Sequence, residues 1–306
     1  MIQPIQPNQA LYIKLGRNGC WERECIEEKQ TLRIGFDEAL HDLCMQGAWS
    51  RVLSEAWPTA NKGTRTGWVN QTKLFYESGP DVLWITFYKN RLYWCFSERD
   101  ITLRPDNGKE RLVRDKWSYR DIKGAPLDMS RLSGKLCAMA GFRGTICSVT
   151  EFEYLVNKIN AIDSREVAAA RSERALLVAA MEPIVQHLHW RDFELLIDLI
   201  FRQAGWKRIS QVGGPQKTLD LELQEPITDS HYSAQVKSQA GLEDFQNYES
   251  EMLGTQFHRG YFAVHTPTAA LRRHSPSGDV ELWHPARIAE LVVKYGLVDW
   301  VIDKAG

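Results

Sequence analysis

The sequence predicts an α/β domain at its C-terminal end, a central mixed sheet flanked by helices, preceded by an α+β domain. Three observations carry this expectation. Phe193, Leu196, Ile197, Ile200, Phe201 and Ala204 recur at helical spacing, which predicts an amphipathic helix over 191–204. Leucines alternate with polar residues over 219–223, the period of a half-buried strand. The first half reads as short strands mixed with short helices. At 306 residues the chain exceeds the usual single core. We divide it into residues 1–149, a helical connector over 150–185, and a C-terminal domain over 186–306.

In the N-terminal half, strands are expected over 11–15 and 31–36, with a turn at 16–19 between them. Short helices are expected over 36–43 and 48–56, and another over 70–76. Gly79-Pro80-Asp81 leads into a strand over 82–87, and Asn90 turns the chain into a return strand over 91–96. Residues 99–123 bring Arg99, Arg104, Lys109, Arg111, Arg114, Lys116, Arg120 and Lys123 together, with Trp117 and Tyr119 interleaved. This is either a phosphate-contacting stripe or a solvated face of mixed charge. Of the tryptophans, Trp68 lies in a Gly/Thr/Arg-rich segment read as a loop and is the least core-like. Phe152, Leu155, Val156 and Ile159 mark a connector helix, and the alanine-rich 166–181 marks another, with Pro183 ending or kinking it.

Gly205-Trp206 ends the 191–204 helix, and 207–212 reads as a first strand. Thr218, Asp220 and Glu222 share one face of the next strand, and 225–230 is a turn-rich break. The chain then returns with Ser233, Gln235 and Lys237 on one face and Tyr232, Ala234 and Val236 on the other. If the two strands pair as a hairpin, Asp220 and Lys237 approach each other on one sheet face. A carboxylate beside a lysine, with a second oxygen donor nearby, suits magnesium-assisted attack of water on phosphate. Glu194, at the edge of the helical stripe, could look toward that sheet. A hairpin with one solvated face would show the same alternation.

This stretch resembles the Mrr-like branch of the PD-(D/E)xK restriction-endonuclease superfamily: Phe193-Glu194 on a helix, Gly213-Gly214 in a loop, Leu219-Asp220 on a strand, and Gln235-Val236-Lys237 in place of acidic-x-Lys. The resemblance covers residues 186–306 and implies a restriction-endonuclease-like fold. It implies Glu194 as helical acid, Asp220 as principal metal ligand, Gln235 as the variant third position and Lys237 as catalytic lysine. A further helix over 242–253, a strand over 260–265 and a helix over 285–295 fit its order. Thr218 stands where a glycine is common, and Glu222 is either a second metal contact or a solvated side chain. The helix, the 82–87 strand and the aromatic return strand of the first half are similar to PUA-like domains, including EVE modules that sense modified bases.

The resemblance implies a Mg2+-dependent endonuclease, with Mn2+ able to substitute, acting on double-stranded DNA, including DNA with modified bases. It further implies a homodimer for double-strand cleavage and a role in type IV restriction or antiphage defence. Contacts to base or DNA are then expected from Trp68, Trp94, Arg111, Arg114, Lys116 and Trp117. Two alternatives stand beside it: a nuclease gated by a nucleotide bound to the N-terminal domain, and a non-catalytic DNA-binding module with the nuclease fold.

Composition adds exclusions. No apolar run approaches a membrane span, and the first residues lack a signal-peptide pattern, so a cytoplasmic enzyme is expected. The six cysteines lack Cys-x-x-Cys spacing. Cys20, Cys25, His41 and Cys44 make a poor zinc set. Gly213-Gly214-Pro215-Gln216-Lys217-Thr218 lacks phosphate-loop spacing. His187 and His189 read as capping or surface residues, and His265 as structural. Residues 186–306 carry an acidic excess and 1–185 a basic one, so basic residues for DNA must concentrate on one face or come from the other domain.

Overall fold

The computed structural model describes residues 3–209, 221–276 and 278–306. The chain forms two compact units, Met1–Arg165 and Glu166–Gly306, so the division falls inside the expected connector.

The first unit runs β1 (Gln9–Ile13), β2 (Thr31–Ile34), α1 (His41–Met45), α2 (Trp49–Glu55), α3 (Lys62–Glu77), β3 (Val82–Tyr88), β4 (Arg91–Ser97), β5 (Thr102–Leu103), β6 (Lys109–Ser118), α4 (Gly134–Cys137), β7 (Ile146–Ser148) and α5 (Phe152–Ile159). Strand order is β2-β6-β4-β3-β1-β7, with β5 on β6. β2 and β7 end this path and do not pair with each other among the described residues. Lys89 and Asn90 both take positive φ, 47° and 59°, the two-residue turn that suits a hairpin between β3 and β4. Alternation along the strands gives the sheet two apolar faces. Leu11, Ile13, Trp84 and Cys95 pack under Phe75 of α3. Ala10, Tyr12, Leu83 and Ile85 pack with Leu155 and Ile159 of α5.

Two expectations change here. The helix expected over 70–76 begins at Lys62, capped by Asn61, whose side chain accepts from Thr64 N at 2.9 Å. Trp68 is therefore helical rather than in a loop. The 109–118 segment, met as a charge stripe, is the longest strand of this unit, with Lys109, Arg111, Val113 and Trp117 buried.

The second unit runs α6 (Arg165–His187), α7 (Trp190–Gln203), β8 (Lys207–Arg208), β9 (Leu221–Gln224), β10 (His231–Ala240), α8 (Leu242–Met252), β11 (Arg259–Pro267), α9 (Ala269–Arg272), β12 (Val280–Trp283), α10 (Pro285–Lys294) and α11 (Val298–Ala305). Its sheet order is β12-β11-β10-β9-β8. β9 and β10 are antiparallel, while β10, β11 and β12 are parallel through the crossovers that α8 and α9 supply. Pro183 stands inside α6, which continues to His187. The expected helices over 191–204, 242–253 and 285–295 are present within a residue or two. One face of the sheet packs Leu221, Leu223, Ala234, Val236 and Ala263 against Phe193, Leu196 and Ile200 of α7 and Ile288 of α10. The other packs Phe262, Val264 and Leu282 against Phe245 and Tyr248 of α8.

Candidate active site and nucleic-acid interface

The hairpin expected on either side of 225–230 is formed, with Leu221 opposite Ala234 and Glu222 opposite Ser233. Because side chains alternate, Leu221, Leu223, Ala234 and Val236 go to the α7 face. Glu222, Ser233, Gln235 and Lys237 therefore go to the α8 face. Gln235 is buried and Lys237 half-buried, with Phe262 and Val264 as their register partners on β11. Asp220 lies outside the described residues; its peptide neighbour Leu221 pairs one position before Gln235. Glu194 is exposed on α7, the helix packed on the other face. Thus Gln235 and Lys237 are brought to one face of one strand, and Glu194 comes from a separate element.

α8 is fixed over this face by a buried hydroxyl pair. Tyr248 Oη lies 2.8 Å from Ser233 Oγ, two residues before Gln235. Tyr248 reaches that far because Gly260, the β11 partner of Ser233, has no side chain. A Cβ at Gly260 would lie 3.1 Å from Tyr248 Cε1 and Oη and 3.2 Å from Val280 Cγ2. Next along the strand, His231 Nδ1 meets Glu222 Oε1 at 3.2 Å.

Asp198, one helical turn beyond Glu194, went unremarked in the sequence. It is 4% exposed, 2.8 Å from Arg202 Nε and 3.7 Å from Arg208 Nη1, so it ties α7 to β8 as a neutralised carboxylate. His187, His189 and His265 each have a partner within the fold. His189 caps α7, accepting from Arg191 N, and His187 Nδ1 contacts Pro183 O at 2.6 Å. His265 stands edge-on to Phe193 with ring centroids 4.8 Å apart, and burial lowers its pKa. Cys20, Cys25, His41 and Cys44 form no metal-holding group; among the described residues no three such ligands converge.

The expected DNA contacts of the first unit separate into two sets. Arg111 is corrected: it is 1% exposed, and its guanidinium donates to Phe75 O, Ser78 O and Glu98 O, each at 2.9 Å. Those carbonyls include the last turn of α3, whose C-terminal acceptors lack helical partners. Burial pulls the Arg111 pKa down to about 10, leaving the group charged at neutral pH. Trp117 is corrected likewise, buried and donating its indole N–H to Thr31 O at 3.2 Å. Trp68 packs on Trp57 at 5.4 Å. By contrast, Trp94, Arg114 and Lys116 meet at a cleft of about 1230 Å³ lined by β4, the second half of β6 and the chain that follows it.

A second concavity, of about 440 Å³, was not foreseen. Lys14, Arg17 and Arg143 line it together with Trp21. Gly16, at φ +83°, keeps its floor open; a Cβ there would lie 2.8 Å from the Trp21 ring. The signal in the sequence was the Gly16–Gly19 turn carrying Arg17, followed by Trp21.

No family model matches the chain, and no curated protein matches it. Among solved structures it is similar to a repair endonuclease from Pyrococcus abyssi, at 12% identity over 67% of this chain and 66% of that one, TM-score 0.23. It is also similar to the DNA modification-dependent restriction endonuclease AspBHI, at 12% identity over 72% of this chain and 68% of that one, TM-score 0.29. Both neighbours are endonucleases; at such TM-scores the likeness carries no argument, and the chemistry of this chain rests on its own residues.

Proposed function

We propose that this chain is a metal-dependent DNA endonuclease that hydrolyses phosphodiester bonds, with the first unit recognising DNA or a modification in it. The observation that carries the proposal is the face of β10 on which Gln235 and Lys237 stand, one pairing step from the residue that follows Asp220. The donor set fits a hard cation: Glu194, Gln235 and Asp220 offer only carboxylate and amide oxygens, as does Glu222. Magnesium or manganese held by these residues would polarise the scissile phosphate and acidify a water. Lys237 donates to the phosphate oxygens as negative charge grows on them. Gln235 is buried on the strand, so its amide oxygen would reach a metal from a packed position. Restriction or antiphage defence is the setting that such an activity suits, and cleavage of both strands calls for two copies.

Cleavage of plasmid DNA from methylating and non-methylating hosts, with magnesium or with EDTA, tests this. The wild-type chain should nick or linearise plasmid only with metal. Lys237→Ala should lose roughly 10²–10³-fold in rate, the cost of removing one preorganised donor. Equal rates for wild type and variant, or cutting that survives EDTA, would refute the assignment.

The 440 Å³ concavity favours a second reading, a nuclease gated by a small anionic ligand. Its size falls within the roughly 300–1,000 Å³ of small-molecule sites, and three cations line it. Such a chain is silent on plasmid until a nucleotide is added.

A further inference from the structure

The cleft beside β4 gathers cations that no carboxylate among the described residues neutralises. Elsewhere in that unit Arg33 pairs with Glu24, Arg104 with Glu110, Arg91 with Asp128 and Lys89 with Glu27. At the cleft, Arg114 donates to Pro80 O at 3.2 Å, Arg120 to Gly124 O at 2.6 Å and Lys123 to Ala161 O at 3.2 Å, all neutral acceptors. Lys116 is exposed, with no carboxylate partner among the described residues. Two acids share the rim. Asp121 is committed to the backbone N–H groups of Lys123 and Ala125, both at 2.9 Å, and Asp115 is exposed. Four cations therefore face two carboxylates without pairing to them.

Beneath this rim lies an aromatic floor. Trp94 and Phe96 project to the same side of β4, with centroids 6.4 Å apart. Trp94 is held by its indole N–H, which donates to Arg120 O at 2.8 Å, leaving its ring as a fixed half-exposed plate. Arg114 stands 5.2 Å from the Phe96 centroid and Arg120 5.0 Å from that of Tyr119. The register between β4 and β6 shifts between Trp94 and Phe96, where Asp115 takes φ +63°. This bulge widens the edge.

We propose that this cleft binds unpaired DNA, a single strand whose bases lie on Trp94 and Phe96 while its phosphates face Arg114, Lys116, Arg120 and Lys123. Aromatic plates beneath a cationic rim are the combination that takes an unstacked strand, because every base has a π-face and every linkage a negative charge. A duplex would satisfy the rim alone, since its bases are stacked inside, and would leave the aromatic floor uncovered. At about 1230 Å³ the cleft exceeds the roughly 300–1,000 Å³ of a pocket for one small ligand. It has the size of a track for several nucleotides. The inference deepens the DNA-handling reading of the first unit and makes an exposed single strand part of what the chain recognises.

The test is equilibrium binding by the full chain in EDTA, which removes cleavage from the readout. The probes are a fluorescent oligo(dT) of about 15 nucleotides, within the range one such platform spans, and a duplex of equal length. Oligo(dT) should bind at least roughly tenfold more tightly than the duplex, with quenching of tryptophan emission. R114E/K116E, both exposed, should weaken oligo(dT) binding at least tenfold and reduce the slope of log affinity against log salt by about 0.7 per lost contact. Phe96→Leu should weaken oligo(dT) binding while leaving duplex binding and the charge of the rim unchanged. Equal affinity for duplex, or an unaltered R114E/K116E variant, overturns the proposal. Plasmid cleavage without oligo(dT) binding would defeat this inference and spare the nuclease; binding without cleavage would do the reverse.

Discussion

Arg111 shows how a residue's role follows from what lies beside it. In the sequence it is one cation of a run, and its partners Phe75, Ser78 and Glu98 are 13 to 36 positions away. Only folding brings β6 past the end of α3, where unmatched carbonyls need donors. Arg111→Lys keeps the charge but leaves at least one of three buried acceptors unsatisfied. It should cost about 1–3 kcal/mol in urea unfolding, the penalty of an orphaned buried group, without altering DNA affinity per folded molecule. A normal urea midpoint with weakened DNA binding would restore the surface reading. His265 gives a pH signature. Burial lowers its pKa from the ordinary 6.5, so the fold prefers the neutral ring. Its stabilisation is complete above that value and is lost as pH falls through the lower folded value. Acid should therefore lower the urea midpoint of the wild type more than that of His265→Gln, and parallel pH profiles would contradict this.

At the scale of elements, the sequence was clearest where burial and periodicity agreed. α7, α10 and the β9–β10 hairpin each show one apolar face against one core, and each was expected close to where it stands. β6 was missed because its inward positions include Lys109 and Arg111, which erase the apolar alternation that marks a strand. Lys109 donates to Phe36 O at 2.6 Å, again a pairing with a distant segment. β12 was missed for another reason: four residues carry too little pattern, and parallel pairing with β11 makes them a strand. The candidate site divides in the same way. That Gln235 and Lys237 share one strand face was legible from local spacing, whereas the Tyr248–Ser233 pair and the space left by Gly260 depend on three separate elements. Gly260→Ala should press Tyr248 away from Ser233. We expect a loss of about 1–3 kcal/mol, typical of overpacking, with kcat falling more than KM; an unchanged kcat in folded protein would show that α8 does not align the β10 face.

For the whole molecule, two units with separate cores should answer separately to ligands. The metal proposed at Glu194, Asp220 and Gln235 would stabilise only the unit that contains them. Calorimetry with saturating magnesium should raise one transition and leave the other in place, by about 2.7 kcal/mol at a hundredfold excess over Kd. Lys237→Ala should retain that shift, whereas Asp220→Asn should lose it. No shift in the wild type would remove the metal from the proposal, whatever the cleavage assay shows.

β10 lies between β9 and β11, so the strand that carries Gln235 and Lys237 is interior to its sheet. Such a strand opens only when its neighbours come away, and amide deuterium uptake there should lag behind that of the hairpin turn and the edge strands. A side chain mounted on such a rail starts from a fixed base. If the chain adapts to differently shaped DNA, the backbone that carries Gln235 and Lys237 stays in place, and the adjustment has to come from side chains and from the surfaces around the hairpin.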